Sequence, residues 1–387
     1  MKKRCAAAMI GLVLLLSFSL PISTAVSASR TLTILNYTDV LYPRFRYALA
    51  AFQAMHPDVE VSIREMHDTD DLLETLAGTS GVDIVYLYRK QLMENAQAGA
   101  LVPLDAVPKV MAALEANEWL PIAPLLSLDG QLYGVAHTAY ASLRDYDASA
   151  AEVCGFVLPE YPYSWEDILS AALEVDWEGR DVPCLIQMNL ANPSFLMDYL
   201  AWQYAQSGAV NLYAEELQEA LRCFQTLVQL GLVVDSRSGA REPCVFGGQE
   251  GLSLIKNPVI GACPCVTVSV SAFALSKNAK NPDLAADFLS ILASRECQTQ
   301  SPAYMDSMLL KDASGYPDDP LELRERPSDE LRFFVAEHWA PSFSYAELIH
   351  YLEDTQIVAR YLKGDQDMPL ETLLTLIQEK ANLMLAK

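Results

Sequence analysis

The chain has 387 residues, 51% of them apolar, and a formal net charge of -23. A single hydrophobic core stops growing well below that length, so two lobes or domains are expected, and the apolar content excludes global disorder. Such acidity repels phosphate backbones and excludes nucleic acid as a ligand.

Lys2, Lys3 and Arg4 precede an apolar run over residues 6–20, and Val26-Ser27-Ala28 supplies the small residues that signal peptidase prefers. Residues 1–28 are therefore expected to be a cleaved secretory signal. The leader's only cysteine, Cys5, precedes the apolar run, which argues against a lipid anchor. Seven cysteines remain after the leader, an odd number that cannot all pair internally. Cys263-Pro264-Cys265 has C-x-C spacing, neither the C-x-x-C redox spacing nor a zinc-finger pair.

Thr31–Asn36 alternates like a strand. Phe45, Leu49, Phe52 and Met55 recur at helical spacing before Pro57. Val59–Ile63 is a second strand, residues 71–76 a short helix, and Gly81–Leu87 a third strand continuous enough for a parallel sheet. This succession predicts a βαβ layered lobe. Asp129-Gly130 marks a hairpin turn, and an extended segment runs on to Tyr146. Ser164 and Asp167 form a capping box opening a helix at Trp165. Further helices are expected over Phe195–Gln206, Tyr213–Leu230, about 344–364 and from Pro369. Val268–Leu275 is a strand, followed by Asn281 as N-cap and Pro282 in the first turn of a helix. Residues 312–327 read as a surface loop.

Several of these stretches carry a family resemblance. Asp129-Gly130-Gln131-Leu132-Tyr133-Gly134-Val135, "A-F-x-x-x-H-P-D-V-x-V" from Ala51, "D-I-V-Y-L" at Asp83 and "A-L-S-K-N-A-K-N-P-D-L-A-A-D-F-L" from Ala274 resemble the extracellular solute-binding proteins of ABC importers, the group that includes sugar- and maltose-binding proteins. The likeness leaves out residues 235–262 and 306–330, and the second lobe looks abbreviated there. It implies an α/β, two-lobed periplasmic-binding-protein-like (type II) fold with a hinge and an interlobe ligand cleft. The lobes implied are 29–138 plus 268–305 and 139–267 plus 306–387, with 129–146 and 263–276 crossing between them.

The function implied is capture of a small solute, a carbohydrate in first place, by lobe closure and its delivery to the permease subunits of an ABC importer. A polyamine, a peptide or another small solute is the alternative within that class, and a secreted carbohydrate-active enzyme the alternative outside it. A monomer, exported to the periplasm or cell surface and without cofactor, is expected. G-x-S-x-G, H-E-x-x-H, P-loop and G-x-G-x-x-G motifs are absent, and the five histidines show no ligand-like pairing, so neither catalysis nor a metal site is expected.

A sugar needs aromatic rings against its CH faces and polar groups for its hydroxyls. In open α/β sheets such ligands lie beyond the carboxyl ends of strands. That rule selects Asn36, Tyr37 and Asp39 after the first strand, Tyr88 and Arg89 after the third, and His137 and Tyr140 in the crossing. Trp202 and Tyr204 on a second-lobe helix, with Trp339 and Tyr345 near the C-terminus, complete the candidates. Each has a plainer alternative: a helix cap for Tyr37 and Asp39, a solvated charge for Arg89, a structural histidine at His137, and core packing for Trp202.

Overall fold

The computed structural model describes residues 30–36, 43–65, 72, 76, 81–178, 181–238, 243–247, 253–301, 309–312, 314–317, 327–338, 340–341 and 346–385. The leader, most of the expected 71–76 helix and most of the 312–327 loop lie outside them.

Strand β1 (Thr31–Asn36) pairs in parallel with β2 (Glu60–Glu65) and β3 (Ile84–Tyr88), with the helix Pro43–Met55 crossing between the first two. Asp83 fixes this corner: its carboxylate accepts from the Thr33 amide and the Asn281 amide, both at 2.8 Å. Leu128 to Gln131 close a tight hairpin between β4 (Ser127–Leu128) and β5 (Gln131–Leu132). Asp129 (φ 52°) and Gly130 (φ 80°) both take the left-handed conformation that a two-residue turn demands.

Strand β6 (Val135–Ala141) follows and leads directly into β7 (Arg144–Tyr146), which belongs to a different sheet. The second sheet adds β8 (Cys184–Met188), β9 (Val233–Asp235), β10 (Cys244–Phe246) and β11 (Ser253–Ile255), in the order β11-β7-β10-β8-β9. The chain then returns to the first sheet as β12 (Thr267–Leu275), antiparallel to both β3 and β6. Each sheet has its own core. Phe45, Phe52, Phe273 and Phe288 pack with β1 and β3, while Trp165, Phe195 and Phe224 pack under the second sheet.

The capping box is as expected, the Ser164 amide donating to Asp167 and the Asp167 amide to Ser164 Oγ. Asn281 precedes its helix without capping it; its side-chain amide donates instead to the Thr31 carbonyl, tying the helix to β1. The 344–364 helix is two helices, Ala346–Thr355 and Ile357–Leu362, broken at Gln356, whose φ is 55°.

Two larger expectations are corrected. Residues 235–262 supply β10 and β11, so this stretch builds the second sheet rather than abbreviating it. Residues 306–387 do not all join the second lobe. Leu309, Leu331, Phe334 and Val335 share a core with Leu87 and Val270, and the short strand β13 (Ala340–Pro341) pairs with the start of β12. Among the described residues after β13, Leu348 is the first that packs into the second core. Leu331, Phe334, Val335 and Ala336 of the helix Asp329–His338 join the first-sheet core.

Candidate functional site

Tyr88 ends β3 and Arg89 opens the helix Arg89–Gln97, so both stand at the carboxyl end of a parallel strand. Tyr88 pairs across the ladder with Ser271 of β12, and Ser271 pairs with Thr138 of β6. Directly paired residues share a sheet face, as do residues two apart along a strand. Tyr88, Ser271, Thr138 and Tyr140 therefore share one face, with Tyr88 and Tyr140 two strands and about 10 Å apart laterally. Both rings are open to solvent, at 49% and 59% exposure. Between them, Thr138 and Ser271 share a hydrogen bond of 2.7 Å. Two exposed aromatic platforms with the half-buried Thr138 between them are a surface that a small polar solute can stack on, Ser271 itself being buried.

Arg89 is half-buried, and its Nε is buried without a hydrogen-bond partner among the described residues. Desolvation holds its pKa below the ordinary arginine value. An unanswered buried donor costs free energy until an acceptor arrives.

His137 belongs to the protein interior. Pairing jumps from Ser271–Thr138 to Ala272–Ala136, making His137 the extra residue of a β-bulge. The bulge turns its ring against Tyr86 and Phe273, edge-on at 5.7 and 5.3 Å. Only 2% of it is exposed, and burial, with Arg44 adding repulsion, lowers its pKa to about 3. Asn36 is likewise buried.

Trp202 and Tyr204 lie far along the helix Ser194–Ser207, both half-buried against the second core. Trp202 sits eight residues from the helix start, about 12 Å down its axis from the strand ends. Tyr37, Asp39, Trp339 and Tyr345 lie outside the described residues.

Asn192 is a residue that sequence reasoning missed. It sits in the turn between β8 and the helix Ser194–Ser207, beyond the carboxyl end of a parallel strand, and its Oδ1 is buried without a partner among the described residues. The signal was present: Cys184-Leu185-Ile186-Gln187-Met188 reads as a strand, and an Asn-rich turn follows it.

The connection between the sheets is tightly bonded. The Ser142 amide donates to the Thr267 carbonyl at 2.8 Å, so the outgoing and returning crossings lie side by side. Asp198 accepts from the Ser142 hydroxyl and from the Thr267 hydroxyl, both at 2.7 Å. Asn257 donates to the Ser142 carbonyl at 2.8 Å and to the Cys265 carbonyl at 2.5 Å. Asp198 lies in the helix Ser194–Ser207, so Asn192 opens within two turns of the crossing that carries Tyr140. A third contact braces the sheets. Lys256 bonds Glu330 at 2.8 Å and lies over the rings of Tyr161 and Phe334, at 4.7 and 4.8 Å.

A cavity of about 260 Å³ lies elsewhere, lined mainly by apolar groups such as Met111, Leu114, Ile122 and Leu126, with Glu115, Asn117 and Trp119 among them. Its predominantly apolar lining suits a sugar less well than the exposed rings of the sheet face. Among the described residues no three His, Cys, Asp or Glu side chains are placed to hold a metal, and no helix is long and apolar enough to cross a membrane.

Two lobes joined at a bonded hinge, with exposed rings at strand ends beside it, define a solute receptor. The chain belongs to the bacterial extracellular solute-binding protein family, whose model matches residues 48–245. It binds a solute outside the cytoplasm. Among solved structures, the sugar-binding protein MalE from Xanthomonas citri is similar in fold, with a TM-score of 0.68 at 15% identity over 92% of this chain and 97% of that one. An ABC substrate-binding protein from Listeria monocytogenes in complex with cycloalternan gives 0.65 at 12% identity, over 92% and 99%. UgpB from Mycobacterium tuberculosis in complex with glycerophosphocholine gives 0.61 at 16% identity, over 91% and 98%. Among curated proteins none matches the sequence.

Proposed function

We propose that this chain captures a carbohydrate between its lobes and presents it to the permease of an ABC importer. The observation that carries this reading is the pair of exposed rings, Tyr88 and Tyr140, flanking Thr138 and Ser271 on one sheet face beside the crossings. Arg89 and Asn192 add unanswered donor and acceptor atoms at strand ends. One lobe consists of the first sheet and its helices; the other consists of the second sheet with the C-terminal helices from Ala346. Solute binds both lobes better when they are closed, and that difference shifts the population. The receptor acts as an exported monomer, freed of its leader after Ala28. It has no cofactor and returns its solute chemically unchanged.

Arg89 favours a second reading, an anionic solute such as a phosphodiester or a sugar acid, because a half-buried guanidinium suits an oxyanion. The same cation weighs against a polyamine.

Thermal unfolding with maltotriose, cycloalternan, glycerophosphocholine, spermidine and a tripeptide tests both. A sugar at 100 times its Kd should add about 2.7 kcal/mol of stability. Stabilisation by glycerophosphocholine alone would replace the sugar with the anionic reading. Mass spectrometry of the recovered sugar should find it intact; hydrolysis products would make the protein an enzyme.

A further inference from the structure

One buried carboxylate touches both crossings that join the sheets. Asp198 is 4% exposed. Its two oxygens each accept from a different crossing, one from Ser142, just after β6, and the other from Thr267, the first residue of β12. An ionised carboxylate only accepts, so each oxygen can take one of the two hydroxyl hydrogens; once protonated it carries a hydrogen that needs an acceptor of its own.

We propose that Asp198 is a proton-operated clamp on the interlobe hinge: ionised, it fixes the separation of the crossings by accepting from Ser142 and Thr267 together, and protonated, it must remake one of those bonds. A protonated carboxyl carries its own hydrogen on one oxygen. The hydroxyl facing that oxygen has to turn and accept, or leave. Asn257 does not titrate, and its bonds to Ser142 and Cys265 keep the crossings attached in both states. The hinge therefore changes its geometry and stiffness without coming apart.

The surroundings place this change in a useful range. Burial pushes the Asp198 carboxyl up to about 7, against the opposing pull of the two hydroxyls and of Arg144. Arg144, on β7, and the Cys265 thiol, on the chain entering β12, are the charged and titratable groups that act on it. Arg144 in turn interacts with Tyr163 and Asp145. The Cys265 thiol is held well above its ordinary value by Cys263 and by burial, so it stays neutral through this range. Burial lowers the Arg144 pKa, against the opposing pull of Asp198, Tyr163 and Asp145. Asp198 changes state near neutrality, and solute affinity follows it because closure runs through the hinge.

The clamp requires no particular solute, so the full mature chain is tested without one. Hydrogen exchange at the Ser142 amide, corrected for the intrinsic rate, and the small-angle scattering radius are measured from pH 5.5 to 8.5. The wild type should show one transition near neutrality, and Asp198→Asn should show none. Thr267→Val removes a donor to the ionised form and should move the midpoint up by about one pH unit or more. Thr267→Ser keeps the hydroxyl and should leave the midpoint in place. A flat wild-type profile, or the same transition in Asp198→Asn, overturns the clamp. Should Asp198→Asn fail to fold, equal midpoints in Thr267→Val and Thr267→Ser overturn it instead.

Discussion

Asp198 and Asn257 grip the same two chain crossings with opposite chemistry. The carboxylate accepts from the side chains of Ser142 and Thr267, and the carboxamide donates to the carbonyls of Ser142 and Cys265. Both side chains are buried, at 4% and 2% exposure, so no water stands ready to replace either set of bonds. A hinge built this way is a pair of adjacent strands held in register, which bends as a unit.

Asn257→Ala should therefore destabilise the protein strongly. It leaves two buried carbonyls unanswered, at about 2–4 kcal/mol together. Urea unfolding checks this. A loss below about 1 kcal/mol would show that the crossings hold without the amide.

Arg89→Met keeps the apolar stem and removes the unanswered donor. Folding stability should hold or rise, because a partly desolvated charge is gone. Affinity for the captured solute should fall by roughly tenfold or more, the value of a hydrogen bond to a charged group. Calorimetric titration beside thermal unfolding separates the two effects. Unchanged affinity would return Arg89 to the solvated surface.

Trp202→Ala and Tyr204→Ala should lower the melting temperature and spare affinity. Both rings pack half-buried on the second core, so each loss should be smaller than the about 3–5 kcal/mol of a fully buried ring. A binding loss at constant stability would instead put that ring in the cleft.

The acid profile should be set in part by His137. Its folded pKa of about 3 lies below the ordinary 6.5, so the unfolded chain binds its proton more tightly. The stability it confers is complete above pH 6.5 and drains as pH falls toward 3. Asp198 has the opposite sign: raised from 3.8 to about 7, it contributes most below pH 3.8, and that contribution is lost as pH rises through 7. His137→Gln should thus gain stability relative to wild type as pH falls from 6.5 to 4. Melting temperatures at matched ionic strength read this directly, and a constant offset across pH would remove His137 from the profile.

All seven cysteines after the leader are free and buried. Burial raises the thiols of Cys223 to about 11 and Cys297 to about 12, which keeps the reactive thiolate scarce. An alkylating reagent at pH 7.5 should label none of them in minutes in the native protein, and all seven after unfolding. Mass spectrometry counts the adducts. Rapid native labelling would contradict the packing around whichever cysteine reacts.

The local patterns were readable because they are local. Alternation in Thr31–Asn36, the Asp129-Gly130 turn and the Ser164–Asp167 capping box depend on neighbours a few residues away, and each stands where the sequence puts it. The motifs from Ala51, Asp83, Asp129 and Ala274 carried the family in the same way. The end of β3 was legible too, with Tyr88 closing the strand and Arg89 opening the next helix, as the sequence marks them. The rest needed long-range contacts. His137 looks like its neighbours on an extended segment until a one-residue slip against β12 turns it inward, and no periodicity encodes that slip. Residues 331–335 carry an apolar face whose partners, Leu87 and Val270 among them, lie far off in the sequence. Asp198 reads as a single acid on a helix; Ser142 and Thr267, 56 and 69 residues away, make it the centre of the hinge. A helix or turn forms from side chains that meet within a few positions, whereas burial of a charge is fixed only when separate segments close over it.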